Sequence, residues 1–208
     1  KFTWKSTDFT TGGNFRYYAP HSNGSIFSDT GSVVIRNREV GGYFGAEKKF
    51  LIPMQTPTEL LQPFNIISSD LTRPWGGFYV IDETQAQAFA DTFFDGLDVQ
   101  TLTIGGKLSP KLLIVAPQQR LSWQYHNRRA EIWKVVQGTV GVVRSDNDQE
   151  GELRTYEVGQ TIRLAQGERH RLVGLDAQAI IAEIWQHTDA SHPSDEDDIV
   201  RVQDDFGR

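Results

Sequence analysis

Apolar and polar residues alternate over short stretches through most of this chain, and glycine, proline, asparagine or aspartate ends each stretch. A period of two marks strands with one buried face. From Lys111 onward this pattern predicts strands over Leu112–Ala116, Arg120–His126, Ala130–Val136, Thr139–Arg144, Leu153–Val158, Thr161–Leu164 and Ala179–Gln186. Earlier candidates are Phe15–Ala19, Ser32–Asn37, Lys48–Ile52 and Phe78–Ile81, with Gly12-Gly13, Asn23-Gly24 and Gly41-Gly42 read as turns. One stretch has a different period. In Thr84–Phe94, Ala86, Phe89, Ala90 and Phe93 recur at helical spacing, and Asp82 stands where a helix cap belongs. Many short strands with one or two helices predict an all-β jelly-roll barrel with peripheral helices. Pro53, Pro57 and Pro63 punctuate a loop. The boundary is drawn after it: a β-rich extension over residues 1–65 and the main domain over 66–208.

Composition narrows the function classes. The 208 residues carry a net charge of −6. Most of that excess sits from Asp189 to Arg208, where Asp189, Asp195, Glu196, Asp197, Asp198, Asp204 and Asp205 face only Arg201 and Arg208. The rest is near neutral, so nucleic acid is not an expected partner, because phosphate-backbone binding needs a basic surface. No apolar run is long enough for a membrane-spanning helix, so no membrane partner is expected. Cysteine is absent, which excludes disulfides and thiolate metal sites. With no secretory signal pattern at the start, a cytoplasmic setting is expected.

Two segments carry candidate chemistry. The first holds Gln124, His126, Glu131 and Gly138; the second holds Gly159, Gly167, His170 and Gly174. Ser122, Gln124 and His126 share one strand face by parity. Glu131 has the opposite parity, so it joins them only if the chain turns at Asn127–Arg129. A hairpin with Gln124 and His126 on one arm and Glu131 on the other is therefore expected, with His170 supplied by a second hairpin. Two imidazoles, a carboxylate and an amide oxygen suit one divalent ion: Zn²⁺ first, with Fe²⁺, Mn²⁺, Ni²⁺ or Co²⁺ as alternatives. His21, His187 and His192 lack such company and are read as non-ligands. The face bearing Leu121, Trp123 and Tyr125 is too apolar to meet water. A packed sheet, residues 1–65 or a second copy in a homodimer must cover it.

These segments resemble the cupin motifs G(X)5HXH(X)4E(X)6G and G(X)5PXG(X)2H(X)3N. Gln124 stands for the first His, Gln118 for the leading Gly, Ala165 for the Pro and Gly174 for the Asn. The stretch Leu121–Trp133 resembles the LSLQxHHHRAEHW run of cupin-type mannose-6-phosphate isomerases. Those form the C-terminal domain of bifunctional mannose-6-phosphate isomerase/GDP-mannose pyrophosphorylases. Lys111–Pro117, Arg73–Gly76, Glu196–Arg201 and Asp204–Arg208 are also similar to family segments. Short bacterial cupins of this kind are often labelled phosphoheptose isomerase. Asn127, Arg128 and Ile132 replace family histidines, and residues 1–65 have no recognised counterpart.

The resemblance implies a cupin double-stranded β-helix and a metal-dependent aldose–ketose isomerisation of a sugar phosphate. Such a reaction moves a proton between C1 and C2 through an enediolate, so it needs a charge stabiliser and a base. If Glu131 is a ligand, Glu183 on the apolar strand Ile180–Trp185 is the expected base, with Lys111 as the alternative. The phosphate requires cations, for which Arg73, Lys111, Arg129 and Arg201 are the candidates. Lys134 has the outward parity. Two other readings remain: a non-catalytic cupin module that binds a sugar or sugar nucleotide, and an Fe-dependent cupin dioxygenase.

Overall fold

The computed structural model describes the backbone of residues 2–4, 7–18, 21–22, 33–34 and 37–48, and residues 56–95, 97–104 and 106–207 with their side chains. The chain divides into two compact units, Lys1–Pro53 and Met54–Arg208. In the first, β1 (Phe2–Trp4) pairs with β2 (Thr7–Tyr18), which pairs along its whole length with β5 (Asn37–Lys48). β3 (His21–Ser22) pairs with β4 (Val33–Val34). The glycine pairs expected as turns lie inside strands instead, with Gly13 opposite Gly42. The ladder needs only backbone groups, so facing glycines continue it. Asn23-Gly24 lies outside the described residues, as do parts of the candidate strands Ser32–Asn37 and Lys48–Ile52.

The second unit begins at Met54, ahead of the boundary drawn at residue 65. The proline-marked stretch is not all loop. Thr56 and Glu59 form a reciprocal cap, with Pro57 in the first turn, and start the short helix α1 (Pro57–Leu61). Leu61 and Phe64 are buried against the neighbouring helix, where the Phe64 and Phe89 rings meet edge-on at 5.5 Å. That helix is α2 (Ala86–Phe93), entered through a 3-10 turn at Glu83–Gln85 that Asp82 caps by accepting from the Thr84 N–H at 3.0 Å. Ala86, Phe89, Ala90 and Phe93 are all buried, as their spacing predicts.

The described strands of the second unit form two antiparallel sheets. One contains β6 (Ile66–Arg73), β7 (Gly76–Ile81), β8 (Lys111–Val115), β10 (Arg129–Gln137), β13 (Thr161–Leu164) and β15 (Ala179–His187), in the order β13-β10-β15-β8-β7-β6. The other contains β9 (Trp123–Tyr125), β11 (Val140–Ser145), β12 (Arg154–Tyr156), β14 (Arg169–Gly174) and β16 (Val200–Gln203), in the order β12-β11-β14-β9-β16. Each of the turns β9–β10, β10–β11, β13–β14 and β14–β15 carries the chain from one sheet to the other, which rolls the sheets into a jelly-roll barrel.

The central strands of the six-stranded sheet, β10, β15 and β8, are buried on both faces. Leu112, Ile132, Ile180, Ala182 and Ile184 pack against the helices. Leu113, Trp133, Val135, Ala179 and Ile181 pack inward with Val140, Val142, Ile162 and Leu172. This explains why β15 reads as nearly continuous apolar sequence rather than alternation. Strands β6, β14 and β16 escaped the pattern. Most of β6 is exposed, and β14 buries His170 and Arg171 among its apolar residues. Phe89 is wholly buried and touches Phe64, Phe93 and Phe94. Phe89→Ala is expected to lower stability by about 3–5 kcal/mol, read as an earlier denaturant midpoint; a change under ~1 kcal/mol would show that the helix layer does not support the barrel.

Candidate metal centre and cavity

The two motif segments do not form the expected hairpins. Gln124 lies on β9 and Glu131 on β10, in different sheets, so the candidate ligands meet across the barrel. Parity still places them correctly. Gln124 sits opposite His170 on β14 and opposite Arg201 on β16, and Glu131 sits opposite Trp185 on β15. His126 follows β9, just before the chain crosses between sheets. The crossing is held from outside: the Asp198 carboxylate accepts the N–H groups of Asn127 at 3.1 Å and Arg128 at 2.9 Å. The motifs are also tied together, because the Gly167 N–H donates to the His126 carbonyl at 2.9 Å. Gly167 has φ +77°, a conformation that favours glycine.

His126, Glu131 and His170 are buried, with potential ligand atoms within 4.8 Å of one another. His126 Nε2 is 3.0 Å from Glu131 Oε1, and His170 Nε2 is 3.4 Å from Glu131 Oε2. Both imidazoles donate Nδ1–H to a carbonyl: His126 to Asp198 at 2.8 Å and His170 to Glu168 at 2.9 Å. That leaves each Nε2 as the ring nitrogen turned toward the carboxylate. Burial lowers the His126 pKa, with Arg129 and His170 adding to it, against the pull of Glu131. Burial opposes ionisation of Glu131, yet contacts with His126, Arg129 and His170 outweigh it and hold the carboxyl well below its usual range. His170 Nε2 is buried without a hydrogen-bond partner. Two buried imidazoles, an ionised carboxylate and an orphaned buried nitrogen fit a divalent cation. Gln124 is adjacent: its Oε1 accepts from Ser122 Oγ at 2.5 Å, and its Nε2 lies 3.5 Å from His126 Nε2.

A cavity of about 340 Å³ opens beside this cluster. Its wall includes Gln124, Glu131, Glu183 and all four candidate cations, Arg73, Lys111, Arg129 and Arg201. Arg129 donates to Glu131 Oε1 at 2.8 Å, Ser194 Oγ at 2.9 Å and the Asp195 carbonyl at 3.0 Å. Its Nη2 also lies 3.2 Å from His126 Nε2, so a cation there would have to displace this contact. Arg129 and Lys111 each lie 3.5 Å from the centre of the Trp185 ring. Lys111 also pairs with Glu196. Arg73 pairs with Asp70 at 2.8 Å, in a hairpin closed at Gly76, where a Cβ would come within 2.0 Å of the Ile114 carbonyl oxygen. The Arg201 Nε is buried without a hydrogen-bond partner.

Glu183 faces the same space. It accepts from Trp133 Nε1 at 2.8 Å and pairs in register with Lys111 on β8. Burial, then the charge of Glu131, raises its pKa to about 7 against the opposing pull of Lys111 and Arg129.

Other cations near the first motif turn away from the cavity. Lys134 pairs with Asp95 at 2.9 Å, Arg120 with Asp205, and Arg128 with Asp195. Of the positions where family histidines are replaced, Asn127 is exposed, Arg128 faces the Asp195 side, and Ile132 packs toward the helices. None of the three lines the cavity. His187 is buried, burial lowers its pKa to about 4, and its Nδ1 accepts from the Ser194 N–H at 3.0 Å. His192 contacts Arg128, and the His21 side chain lies outside the described residues. The apolar face of β9 is covered by its own chain: Trp123 is buried and donates to the Asp148 carbonyl, and Arg169 stacks 4.1 Å from the Tyr125 ring centre. Sequence reasoning missed Trp133 as a partner of Glu183, and Ser194, Glu196 and Asp198 as part of the site. The last two lay inside a segment singled out only by resemblance.

A sequence model of the family described as Mannose-6-phosphate isomerase C-terminal matches residues 96–204. The chain belongs to this family. Among curated relatives, it is 31% identical over 136 residues to the xanthan biosynthesis protein XanB of Xanthomonas campestris pv. campestris, covering 65% of this chain and 23% of that protein. It is 32% identical over 139 residues to the alginate biosynthesis protein AlgA of Pseudomonas aeruginosa, covering 67% and 23%. The chain thus spans under a quarter of the length of these relatives. Among solved structures, a Cupin 2 conserved barrel domain protein from Salinispora arenicola aligns at 24% identity with a TM-score of 0.35, over 43% of this chain and 69% of that one.

His126→Ala is expected to abolish retention of a divalent metal while leaving the β-sheet circular dichroism unchanged. Elemental analysis of the two proteins after identical purification tests this; equal metal content would remove His126 from the ligand set.

Proposed function

We propose that this protein catalyses metal-dependent aldose–ketose isomerisation of a sugar phosphate. The observation that carries the reading is a single cavity bordered by a buried His/Glu/His cluster, a carboxylate with a pKa of about 7 and four cationic side chains. His126, Glu131 and His170 would hold one divalent ion, with Gln124 as a further oxygen donor once its amide turns to exchange Nε2 for Oε1 at the cluster, and Zn²⁺ as the first choice among Zn, Fe, Mn, Ni and Co. When bound, such an ion supplies a Lewis acid that stabilises negative charge on the sugar oxygens.

The side chains divide the remaining work. Glu183 takes the proton from one carbon and returns it to the neighbouring one, for which a pKa near 7 is well matched at neutral pH. Trp133 Nε1–H orients the Glu183 carboxylate. Lys111 is the alternative base, but its ammonium already pairs with Glu196 and stacks on Trp185, which suits it to binding an anion. Arg201, Arg73 and Arg129 complete a cationic lining for the phosphate. The replaced family histidines support catalysis rather than a purely binding role, since all three positions lie off the cavity wall.

The test is incubation with mannose-6-phosphate, fructose-6-phosphate and sedoheptulose-7-phosphate, with and without chelator. Turnover of at least one, abolished by chelation and restored by a divalent metal, is expected; sugar binding without turnover would turn the reading to a binding module, and metal-dependent O₂ uptake to a dioxygenase. Glu183→Gln is expected to lower kcat by about 10²- to 10⁴-fold and to remove the rise of activity with pH that accompanies Glu183 ionisation. The same substitution should affect stability with a defined sign. Glu183 keeps its proton up to about pH 7 in the fold, against 4.5 in the unfolded chain, so its favourable contribution is complete below 4.5 and fades as pH rises toward 7. In chelated protein at pH 8, Glu183→Gln should therefore raise Tm, as read by calorimetry.

A further inference from the structure

The segment from Ser194 to Arg201 does two things at once. Glu196, Asp197, Ile199 and Arg201 line the cavity, while Asp198 between them turns the other way and is buried. Its carboxylate accepts four contacts: the N–H groups of Asn127 and Arg128, the Ser194 hydroxyl at 2.7 Å, and the Arg128 guanidinium at 3.6 Å. Its own carbonyl accepts Nδ1–H from His126 at 2.8 Å. These hydrogen bonds lower the Asp198 pKa although burial opposes it. Ser194 adds a second anchor, because its N–H donates to the buried His187 and its hydroxyl accepts from Arg129.

We infer that Asp198 is a positioning residue that couples the cavity-lining segment to the metal centre through His126. Its side chain fixes both ends of a closed loop of contacts: the turn after His126, and the peptide whose carbonyl sets the tilt and tautomer of the imidazole. Removing the carboxylate frees the Asp198 carbonyl to move and lets the His126 ring rotate, so the cation site loosens. The coupling is reciprocal. A cation that holds His126 in place also holds the Asp198 peptide, and with it the wall formed by Glu196, Asp197 and Ile199. This inference rests on the metal-binding part of the proposed function and not on the isomerisation.

The experiment uses the full chain, stripped of metal and titrated with Co²⁺ alone, read by visible absorption. Asp198→Ala is expected to weaken Co²⁺ binding by about 10- to 100-fold and to alter the absorption bands. Asp198→Asn keeps an acceptor for Ser194 or for one N–H and should fall between Asp198→Ala and the parent. Hydrogen exchange supplies the second readout: Co²⁺ should slow exchange of the 194–199 amides in the parent and not in Asp198→Ala. If Asp198→Ala does not fold, Ser194→Ala, which removes one anchor, takes its place with the same expected direction. Unchanged Co²⁺ affinity and bands, or slowing of the 194–199 amides that persists in the variant, would overturn the inference. Absence of Co²⁺ binding in the parent would overturn it together with the metal site. Absence of sugar turnover alongside the predicted Co²⁺ results would remove only the isomerase reading.

Discussion

Glu131 places an ionised carboxylate between two sheets, where an unpartnered charge would cost several kcal/mol. Much of the surrounding architecture answers that constraint. Arg129, two residues earlier on the same strand, donates to it from inside the barrel, and the two imidazoles close the remaining sides. Each of those partners needs its own anchorage. Ser194 and Asp195 hold Arg129, the Asp198 carbonyl holds His126, and the Glu168 carbonyl holds His170. The chain after β15 therefore does more than trail off the barrel. It returns through Ser194 and Asp198 to the centre and then adds β16 beside β9, which brings Arg201 level with Gln124.

The same charge tunes its neighbour. Glu183 lies on the strand paired with β10, in an interior too poor in water to ionise two carboxylates freely. Glu131 has the better partners and keeps the charge; Glu183, with Trp133 Nε1–H and more distant cations, is left near neutrality in pKa. Two acidic residues on neighbouring strands of one sheet, diagonal to each other in register, thus acquire different roles from their surroundings alone. A ligand that must stay ionised and a base that must exchange its proton are kept apart by one strand pairing.

Much of this was legible in the chain, and the failures have physical causes. Strand parity put Gln124 with His126 and separated Glu131 from Lys134, because a period of two survives whichever sheet a strand joins. It could not say which sheet that would be. Two segments joined by a short turn read as a hairpin, and only the cross-barrel partners, such as Gly167 to the His126 carbonyl, reveal a crossing. The helix Ala86–Phe93 was plain because four apolar residues repeat at helical spacing. Strand β6 was not, because it is an edge strand whose side chains mostly meet solvent. The glycine pairs misled because glycine signals freedom of the backbone, not the use made of it. Asp198 was hidden for a different reason: a carboxylate that works mainly through two backbone N–H groups and one hydroxyl leaves no spacing pattern.

Strand β15 separates two environments by the thickness of a single peptide. Ile180, Ala182 and Ile184 touch the helix layer, while Ile181, Glu183 and Trp185 look into the barrel. Repacking beneath the helices can therefore tilt the backbone that carries Glu183 and Trp185. Substitution at those aliphatic positions is therefore a quiet route to retuning acidity and anion preference without replacing one polar residue.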